Sequence, residues 1–435
     1  MESDEYIASR MQQADTLSKL FQNMQTYPLD PKKIVVAAFE GKGRYGCNPR
    51  YIVEALHERD SSLKFVWLMH DTNHYFPEWI EKAEDTPENI AYHLSTARVW
   101  IDNYRKPLGT LKRPGQLYIQ TWHGSLGIKA VGRFRGELLP KIAQIVSEAD
   151  SKLIDYVITN SAYRTKLLPD LLFYDGPVLQ IGMPRNDIII AQREKYHKIV
   201  RERYGMPHDA KLLLFAPTFR GGNQSTQKQV TQGYPNVDFA GLAKCLKTGF
   251  GGEWHIMFRL HPQVAAKISE MPLQNKILNI FDASQADDIS ELLAGCDALL
   301  TDYSSCAFDA AYAYIPVFLY ADDVEAYRAN RGKFMWKPGE LPFTTAQTNA
   351  QLQRTIETFD FNAYRIRLQA FFRRIGLLED SHASERAADV VLKFIRGGKK
   401  EMESWIQKKG FVVSAKEIED LRNAGKRCKN RFINV

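Results

Sequence analysis

A histidine that follows a short apolar stretch is the first candidate for chemistry in this chain. Residues 117–132 read LYIQTWHGSLGIKAVG, in which a predicted strand ends and His123 comes directly before Gly124. Open α/β sheets keep their active sites at the carboxyl ends of strands. An imidazole titrates near neutral pH, so His123 is suited to take a proton from an attacking hydroxyl. A histidine bonded only to neighbouring backbone is the alternative for this position.

Three further segments place polar side chains directly after predicted strands in the second half of the chain. They are APTFR (216–220), MFRLHP (257–262) and TDYSS (301–305). Together they offer cations, an imidazole and hydroxyl groups, which bind phosphate oxygens. Each segment alone is nearly as well explained by a solvated strand end. Taken together they predict a diphosphate pocket, formed by Thr218, Arg220, Arg259, His261, Asp302, Ser304 and Ser305.

Asp302 is the residue of this set that needs a separate explanation, because a carboxylate repels phosphate oxygens. It could bind a hydroxyl, orient a histidine or cap the helix predicted over 306–313. Ser304 or Ser305 is a second candidate for that cap. No acidic triplet follows a strand, and the pair Asp322–Asp323 lies in a poor context for metal binding. We therefore expect no metal and no cofactor.

The elements around these segments alternate between strands and helices, which predicts parallel, doubly wound sheets. Two such series in succession predict an α/β protein with two Rossmann-like domains that face a cleft. The expected boundaries are an N-terminal amphipathic helix (1–30), a first Rossmann-like domain (31–182), a second one (183–378) and a helical basic tail (379–435).

Local patterns add more detailed expectations. The run KKIVVAAFEGKGRYGCNPRYIVEAL predicts a strand over 34–39, a glycine-rich turn and a helix capped by Asn48. The spacing of its glycines does not satisfy a dinucleotide-binding fingerprint. Further along the chain, a helix is expected near 79–83 and a strand at His93–Leu94.

Composition excludes several classes of protein. Hydrophobic residues make up 44% and charged residues 25% of the 435 residues, which is typical of globular domains. No apolar run approaches the roughly 18 residues of a membrane-spanning helix. The first ten residues do not resemble a signal peptide, so we expect a cytoplasmic protein. The five cysteines are scattered and odd in number, which predicts reduced thiols.

Basic residues are in excess, and the net charge of +7 favours anionic partners such as phosphates or an acidic lipid surface. Residues 399–435 alone hold ten Lys or Arg and five acidic residues. We interpret this tail as a solvated helix or helical pair and the amphipathic helix at 4–27 as packed on the body. Peripheral contact with the inner face of the cell membrane is the alternative for both. Too few aromatic residues accompany the cations for nucleic-acid binding, which we do not expect.

Seven segments in a fixed order resemble the CDP-glycerol glycerophosphotransferase family, the enzymes of the teichoic acid primase and polymerase type. They extend from about residue 34 to residue 378 and read FEGKGRYGCNPRYI, QTWHGSLGIKAVG, GMPRND, APTFR, FRLHP, TDYSS and YRANRGKFMWKPGELPF. The resemblance implies a GT-B fold in which CDP-glycerol binds the second domain and a hydroxyl acceptor enters the first. It also implies that His123 is the family's TWHG histidine, and it matches Arg220, Arg259, His261, Ser304 and Ser305 to the family's donor motifs.

The implied activity is transfer of glycerol phosphate from CDP-glycerol to a hydroxyl of a glycan or polyol-phosphate acceptor. CMP is released, and the product is a teichoic-acid-like or capsular surface polymer. His123 is the expected general base, while His261 either binds the diphosphate or protonates the leaving phosphate. Gly124, Ser125 and Lys129 are expected on the acceptor side, where SLGIK departs from the WHGTPLK pattern of many members. A CDP-ribitol phosphotransferase or a GT-B glycosyltransferase using a nucleotide sugar is the alternative, and a lipid-linked acceptor remains open.

Overall fold

The computed structural model describes residues 4–218, 220, 235–260, 279–337 and 339–431. The chain divides into two compact units. Unit 1 comprises Met1–Ser125, Val131–Asp187 and Ile375–Val435, and unit 2 comprises Leu126–Ala130 and Ile188–Arg374. Each unit contains one largely parallel sheet, so the predicted α/β class with two Rossmann-like parts is confirmed.

The strands occupy short apolar segments that are buried on both faces, as the strands of parallel sheets usually are. In chain order they are β1 (Asp30–Ala37), β2 (Lys64–Met69), β3 (Ile80–Glu84), β4 (Ala97–Asp102), β5 (Leu117–Gln120), β6 (Tyr156–Thr159), β7 (Val178–Gln180), β8 (Lys211–Phe215), β9 (Trp254–Phe258), β10 (Ile280–Asp282), β11 (Ala298–Thr301), β12 (Val317–Tyr320), β13 (Thr344–Ala346) and β14 (Val412–Val413). The sheet of unit 1 has the order β14-β7-β6-β5-β4-β1-β2-β3, and that of unit 2 has the order β10-β9-β8-β11-β12-β13.

The helices mostly connect successive parallel strands. In chain order they are α1 (Asp4–Met24), α2 (Cys47–Arg59), α3 (Pro87–Thr96), α4 (Lys141–Ser151), α5 (Ala162–Leu171), α6 (Asp187–Ala191), α7 (Arg193–Arg203), α8 (Phe239–Phe250), α9 (Ile289–Gly295), α10 (Cys306–Tyr312), α11 (Val324–Arg331), α12 (Asn349–Glu357), α13 (Phe361–Ile375), α14 (Ala383–Lys409) and α15 (Ala415–Arg431). In the described part of the chain, none of them combines the length and the apolar character needed to span a bilayer.

The N-terminal helix α1 packs within unit 1. Leu17 and Phe21 on one face of the helix are buried in a cluster with Val35 of β1 and Trp100 of β4. Their spacing of four residues places them on the same side of the helix. The amphipathic pattern of α1 therefore reflects packing against the sheet, which is the interpretation favoured by the sequence.

The C-terminal region also belongs to unit 1. Apolar residues of α14, among them Phe394 and Ile406, are buried in the same cluster as the strands of unit 1. Beyond this helix, β14 pairs antiparallel with β7 and extends the sheet. The division of the chain therefore differs from the predicted boundaries, because α14 and β14, which lie in the predicted tail, belong to unit 1. An apolar helix face needs a partner to cover it, and this one is covered by unit 1.

Two local predictions are wrong. The segment near 79–83 is not a helix, since β3 (Ile80–Glu84) pairs with β2 at the edge of the sheet. Edge pairing there overrides the helix propensity of the sequence IEKAE. The predicted strand at His93–Leu94 lies inside α3, which begins where the side chain of Thr86 accepts the N–H of Asn89 and Pro87 occupies the first turn.

Candidate active site

In each sheet, the first strand in the chain lies in the interior, and later strands are added on both sides of it. In unit 1, β1 lies between β2 and β4, and in unit 2, β8 lies between β9 and β11. At such a switch point the connections leave in opposite directions, and the carboxyl ends of the strands border a crevice where α/β proteins bind ligands. The segments predicted to carry chemistry follow the strands at and beside these two points.

His123 lies three residues beyond the end of β5, and its side chain is half-buried. Its Nδ1 is 2.9 Å from the backbone oxygen of Asn103, which follows β4. A carbonyl oxygen can only accept a hydrogen bond, so Nδ1 carries the proton and donates it. In the neutral ring the lone pair then lies on Nε2, which is the arrangement that a general base requires.

Aromatic rings fix the plane of the imidazole. The His123 ring stacks on Trp122 with 4.4 Å between centroids and on Tyr104 with 5.6 Å. Phe39, which follows β1, approaches the same ring at 5.3 Å. These contacts restrict rotation of the side chain, so the hydrogen bond to Asn103 and the stacked rings together define where Nε2 points.

The backbone around His123 is held in uncommon conformations. Phe39, Cys47 and Trp122 have φ values of +51°, +59° and +54°, in the left-handed region that non-glycine residues rarely adopt. Hydrogen bonds on both sides of Trp122 hold its backbone, because its N–H donates to Oε1 of Gln120 and its oxygen accepts from Nδ2 of Asn48. Strain of this kind persists where the surroundings impose it and is concentrated at functional sites.

Asn48 has a different role from the predicted one. The helix α2 begins at Cys47 with Gly46 in the capping position, so the prediction that Asn48 caps it is wrong. The Asn48 amide instead donates to Trp122 and accepts the backbone N–H of Arg185 at 3.1 Å. Sequence alone favoured the cap because Asn is common at that position before a proline at the first helical turn.

Arg185 of the GMPRND segment supports the same turn. Its side chain is 4% exposed, and Nη1 donates to the backbone oxygen of His123 at 2.6 Å. Arg185, Asn48 and Asn103 were not predicted as site residues, although the two segments GMPRND and CNPRY were recognised as motifs. Their role depends on contacts between residues far apart in the chain, which sequence spacing does not reveal.

The carboxyl group of the half-buried Glu379 holds the GMPRND segment against the C-terminal region. Oε1 of Glu379 accepts hydrogen bonds from Asn160 at 2.6 Å and from Asn186 at 2.8 Å. Burial raises the pKa of Glu379 to about 8, although the two amide donors act in the opposite direction. Glu379 is therefore mainly protonated at neutral pH.

The stability of the protein should consequently depend on pH through Glu379. Its pKa is about 8 in the folded protein and 4.5 as a model value, so the stabilisation is full below pH 4.5 and is lost as the pH rises to about 8. Glu379→Gln mimics the protonated carboxyl and does not titrate. Relative to this variant, the wild type should lose about 1.4 kcal/mol of unfolding free energy per pH unit across that range. Urea denaturation of both proteins at pH 5 to 9 measures the difference in their unfolding free energies. A difference that does not change with pH would contradict the raised pKa of Glu379.

In unit 2, Asp302 anchors the APTFR segment. Its carboxylate is 1% exposed and accepts the backbone N–H of Thr218 at 2.8 Å and 3.0 Å. It also forms an ion pair with Nη1 of Arg220. The negative charge of Asp302, which would repel a phosphate, is thus neutralised by Arg220, and Asp302 positions the loop that follows β8.

Arg220 is held by a second carboxylate. Nε and Nη2 donate to the two oxygens of Asp323 at 2.8 Å and 3.1 Å, and the Tyr303 hydroxyl donates to the same Asp323 at 2.9 Å. Burial lowers the pKa of Arg220, but attraction to Asp302 and Asp323 outweighs it and the net shift is upward. Among its contacts with the described residues, one N–H on Nη2 has no partner. Asp323 was judged to lie in a poor context, and its pairing with Arg220 was missed.

The other predicted donor residues follow neighbouring strands of unit 2. Arg259 directly follows β9, and its Nη1 donates to the backbone oxygen of Ser284. Oγ of Ser304 accepts the N–H of Cys306 at 3.5 Å, while Ser305 occupies the capping position of α10 without a side-chain hydrogen bond to it. His261 lies outside the described residues.

The residues expected on the acceptor side are divided between the units. Gly124 and Ser125 are buried in unit 1, whereas Lys129 lies in the segment Leu126–Ala130, which belongs to unit 2. Their place on the acceptor side stays a prediction. Within the described ranges, no group of three or more His, Cys, Asp or Glu side chains is arranged to hold a metal ion.

Each of the two units has a doubly wound α/β sheet with the recognised motifs at its strand ends, which defines the class of fold. The chain belongs to the CDP-glycerol:poly(glycerophosphate) glycerophosphotransferase family, whose sequence profile matches residues 19–393. It is 28% identical over 378 residues to the teichoic acid poly(glycerol phosphate) polymerase of Staphylococcus epidermidis, covering 84% of this chain and 51% of the relative. The chain thus spans about half the length of that relative.

A second relative matches along nearly its whole length. The chain is 28% identical over 373 residues to the teichoic acid glycerol-phosphate transferase of Staphylococcus aureus, covering 83% of this chain and 92% of the relative. Among solved structures, the wall teichoic acid polymerase TagF superposes with a TM-score of 0.74 at 24% identity, covering 89% of this chain and 94% of that one. This likeness supports the assignment of the fold.

Proposed function

We propose that the protein transfers glycerol phosphate from CDP-glycerol to a hydroxyl of a polyol-phosphate or glycan acceptor and releases CMP. The observation that carries this proposal is the hydrogen bond from Nδ1 of His123 to Asn103, which leaves the lone pair of the neutral ring on Nε2. Family membership supports CDP-glycerol as the donor. Both glycerol-phosphate relatives act in teichoic acid synthesis by name, which supports a surface polymer as the product.

In the proposed reaction, Nε2 of His123 takes the proton of the acceptor hydroxyl. The acceptor oxygen forms a bond to the β-phosphorus, and the bond between that phosphorus and the bridging oxygen breaks in line with it. CMP leaves with the bridging oxygen. The asymmetry of the donor makes this a transfer of glycerol phosphate, since attack at the β-phosphorus leaves the α-phosphate on the nucleoside.

Unit 2 is proposed to hold the diphosphate. The groups assigned to it are Arg259, His261 and the hydroxyls of Thr218, Ser304 and Ser305. The role proposed for Arg220 is narrower than the sequence suggested, because most of its N–H groups are bonded to Asp302, Asp323 and Thr218. It contributes a fixed positive charge near the phosphates and at most one N–H, while it shapes the loop that contacts them.

We further propose a lipid-linked acceptor at the cytoplasmic face of the membrane. The net charge of +7 supports contact with an anionic surface. Two aromatic residues of the C-terminal region, Trp405 and Phe411, give no support to such contact, because they pack against each other and against the core of unit 1. A membrane-binding surface would therefore depend on charged side chains rather than on these rings.

The nucleotide product tests the proposed reaction. Purified protein should release CMP, and no CDP, from CDP-glycerol in the presence of a glycerol-phosphate oligomer, because phosphotransfer leaves the nucleoside monophosphate. Parallel reactions with CDP-ribitol and with nucleotide sugars test the alternatives, and chromatography of the nucleotides gives the readout. Faster CMP release from CDP-ribitol would reassign the donor. Release of a nucleoside diphosphate from a nucleotide sugar would make the protein a glycosyltransferase.

A further inference from the structure

A five-residue segment directly after the His123 turn belongs to the other unit. Unit 1 includes the chain up to Ser125 and resumes at Val131, while Leu126–Ala130 is part of unit 2. We call Leu126–Ala130 the strap. The strap therefore connects, through Gly124 and Ser125 alone, the proposed base with the unit proposed to hold the donor.

Hydrogen bonds attach the strap to residues 333–336 of unit 2. The N–H of Ala130 donates to the oxygen of Lys333 at 3.2 Å, and the N–H of Met335 donates to the oxygen of Ile128 at 2.8 Å. These bonds form a short antiparallel bridge between Lys129 and Phe334.

A side chain adds a third attachment. Nε1 of Trp336 donates to the oxygen of Gly127 at 2.9 Å. Leu126 and Ile128 of the strap are only 3% and 4% exposed, so burial of their side chains accompanies the hydrogen bonds. The strap is thus fixed in unit 2 by backbone pairing, by an indole N–H and by apolar packing.

The residues that hold the strap also contact the donor motif. The ring of Phe334 stacks on Tyr303 of the TDYSS segment with 5.3 Å between centroids, and Tyr303 bonds to Asp323, the partner of Arg220. The ring of Trp336 packs against Phe308 of α10, with 6.1 Å between centroids. The position of the strap is therefore coupled to the position of the TDYSS segment.

Covalent geometry transmits this position to the base. Three successive Cα–Cα steps of 3.8 Å separate His123 from Leu126, so their Cα atoms are at most about 11 Å apart in any conformation. Ser125 is 1% exposed, which restricts how far this short link can rearrange. A displacement of the strap that exceeds what backbone rotation at Gly124 and Ser125 can absorb moves His123.

We propose that the strap, through its covalent link, restricts the position of His123, and that Trp336 and Phe334 are positioning residues for the base. This inference rests on the proposed function, because it takes His123 as the base and unit 2 as the unit that binds the donor. Trp336 contacts neither reacting group in this role. It acts by holding Gly127, and through the strap it limits the positions that His123 can occupy.

The test is Trp336→Phe, which removes the indole N–H and keeps an aromatic ring in place. We expect kcat for CMP release to fall about tenfold, because small displacements of a catalytic group are costly, while KM for CDP-glycerol stays within about twofold. Trp254→Phe is the matched control. Its Nε1 donates to the oxygen of Gly251 at 3.0 Å, also in unit 2 and remote in sequence from the strap. The control should leave kcat unchanged.

A second readout does not depend on the donor. The ring resonance of His123 in an NMR spectrum is identified by its loss in His123→Asn, and it should shift in Trp336→Phe but not in Trp254→Phe. An active wild type with an unchanged kcat in Trp336→Phe would overturn the inference. If the wild type released no CMP from CDP-glycerol, the proposed function would fail, and the resonance alone would decide whether the strap positions His123.

Discussion

His123→Ala should lower kcat for CMP release by roughly 10²- to 10⁴-fold, the range expected for loss of a general base. The variant loses Nε2, the nitrogen that carries the lone pair when Nδ1 donates to Asn103. Binding of CDP should change by no more than about twofold, because removal of a group that acts in the transition state lowers turnover without weakening ground-state binding. Single-turnover assays with CDP-glycerol and calorimetric titration with CDP measure the two quantities.

His57→Ala is the control that separates loss of the base from loss of a stacked imidazole ring. His57 also lies in unit 1 and stacks on a tryptophan, Trp79, with 4.1 Å between centroids. Its removal should leave turnover unchanged. Retained turnover in His123→Ala would exclude His123 as the base. An equal loss in both variants would show that the rings act through the stability of unit 1.

Arg220→Met should destabilise the protein by about 3–5 kcal/mol, the usual effect of removing one partner from a buried ion pair. Asp302 is 1% exposed, and without Arg220 its negative charge would remain buried with only backbone donors among the described residues. Asp323 would lose a bidentate partner at the same time. The midpoint and slope of urea-induced unfolding measure the change.

The matched control is Arg328→Met. Arg328 forms an ion pair with Glu325 at 3.4 Å, and both side chains are more than half exposed. Exposed pairs contribute little, so this variant should change the unfolding free energy by no more than about 1 kcal/mol. If Arg220→Met proved equally mild and only weakened CDP binding, Arg220 would be a phosphate ligand rather than the organiser of its loop.

The sequence contains enough information to locate the strand ends that carry the site. The strand before His123 is fully apolar except for Gln120, and the same is true of the run before Asp302, where Thr301 is the exception. Parallel strands packed on both faces read as such runs, so their ends are visible in the sequence. The position of His123 just beyond the end of a strand was therefore predictable from residue order alone.

Partners between distant segments were not accessible in this way. Asp323 pairs with Arg220 across 103 positions of the chain, and Arg185 reaches the oxygen of His123 across 62 positions. Which strands lie side by side decides such contacts, and a single sequence does not state the strand order. The same reason explains why residues 379–435 were predicted to be helical without an indication that α14 packs on the sheet of unit 1.

The pairing of β14 with β7 has a consequence for synthesis on the ribosome. Val178 and Leu179 emerge early, whereas Val413 and Val412, their partners in the ladder, follow roughly 230 residues later. At roughly 5–20 residues per second, translation separates the two events by about 10–50 seconds. During that interval unit 2 is being synthesised, and the edge of β7 and the apolar surface that α14 later covers remain exposed. Nascent unit 1 is thus a natural client for chaperones that shield exposed strand edges.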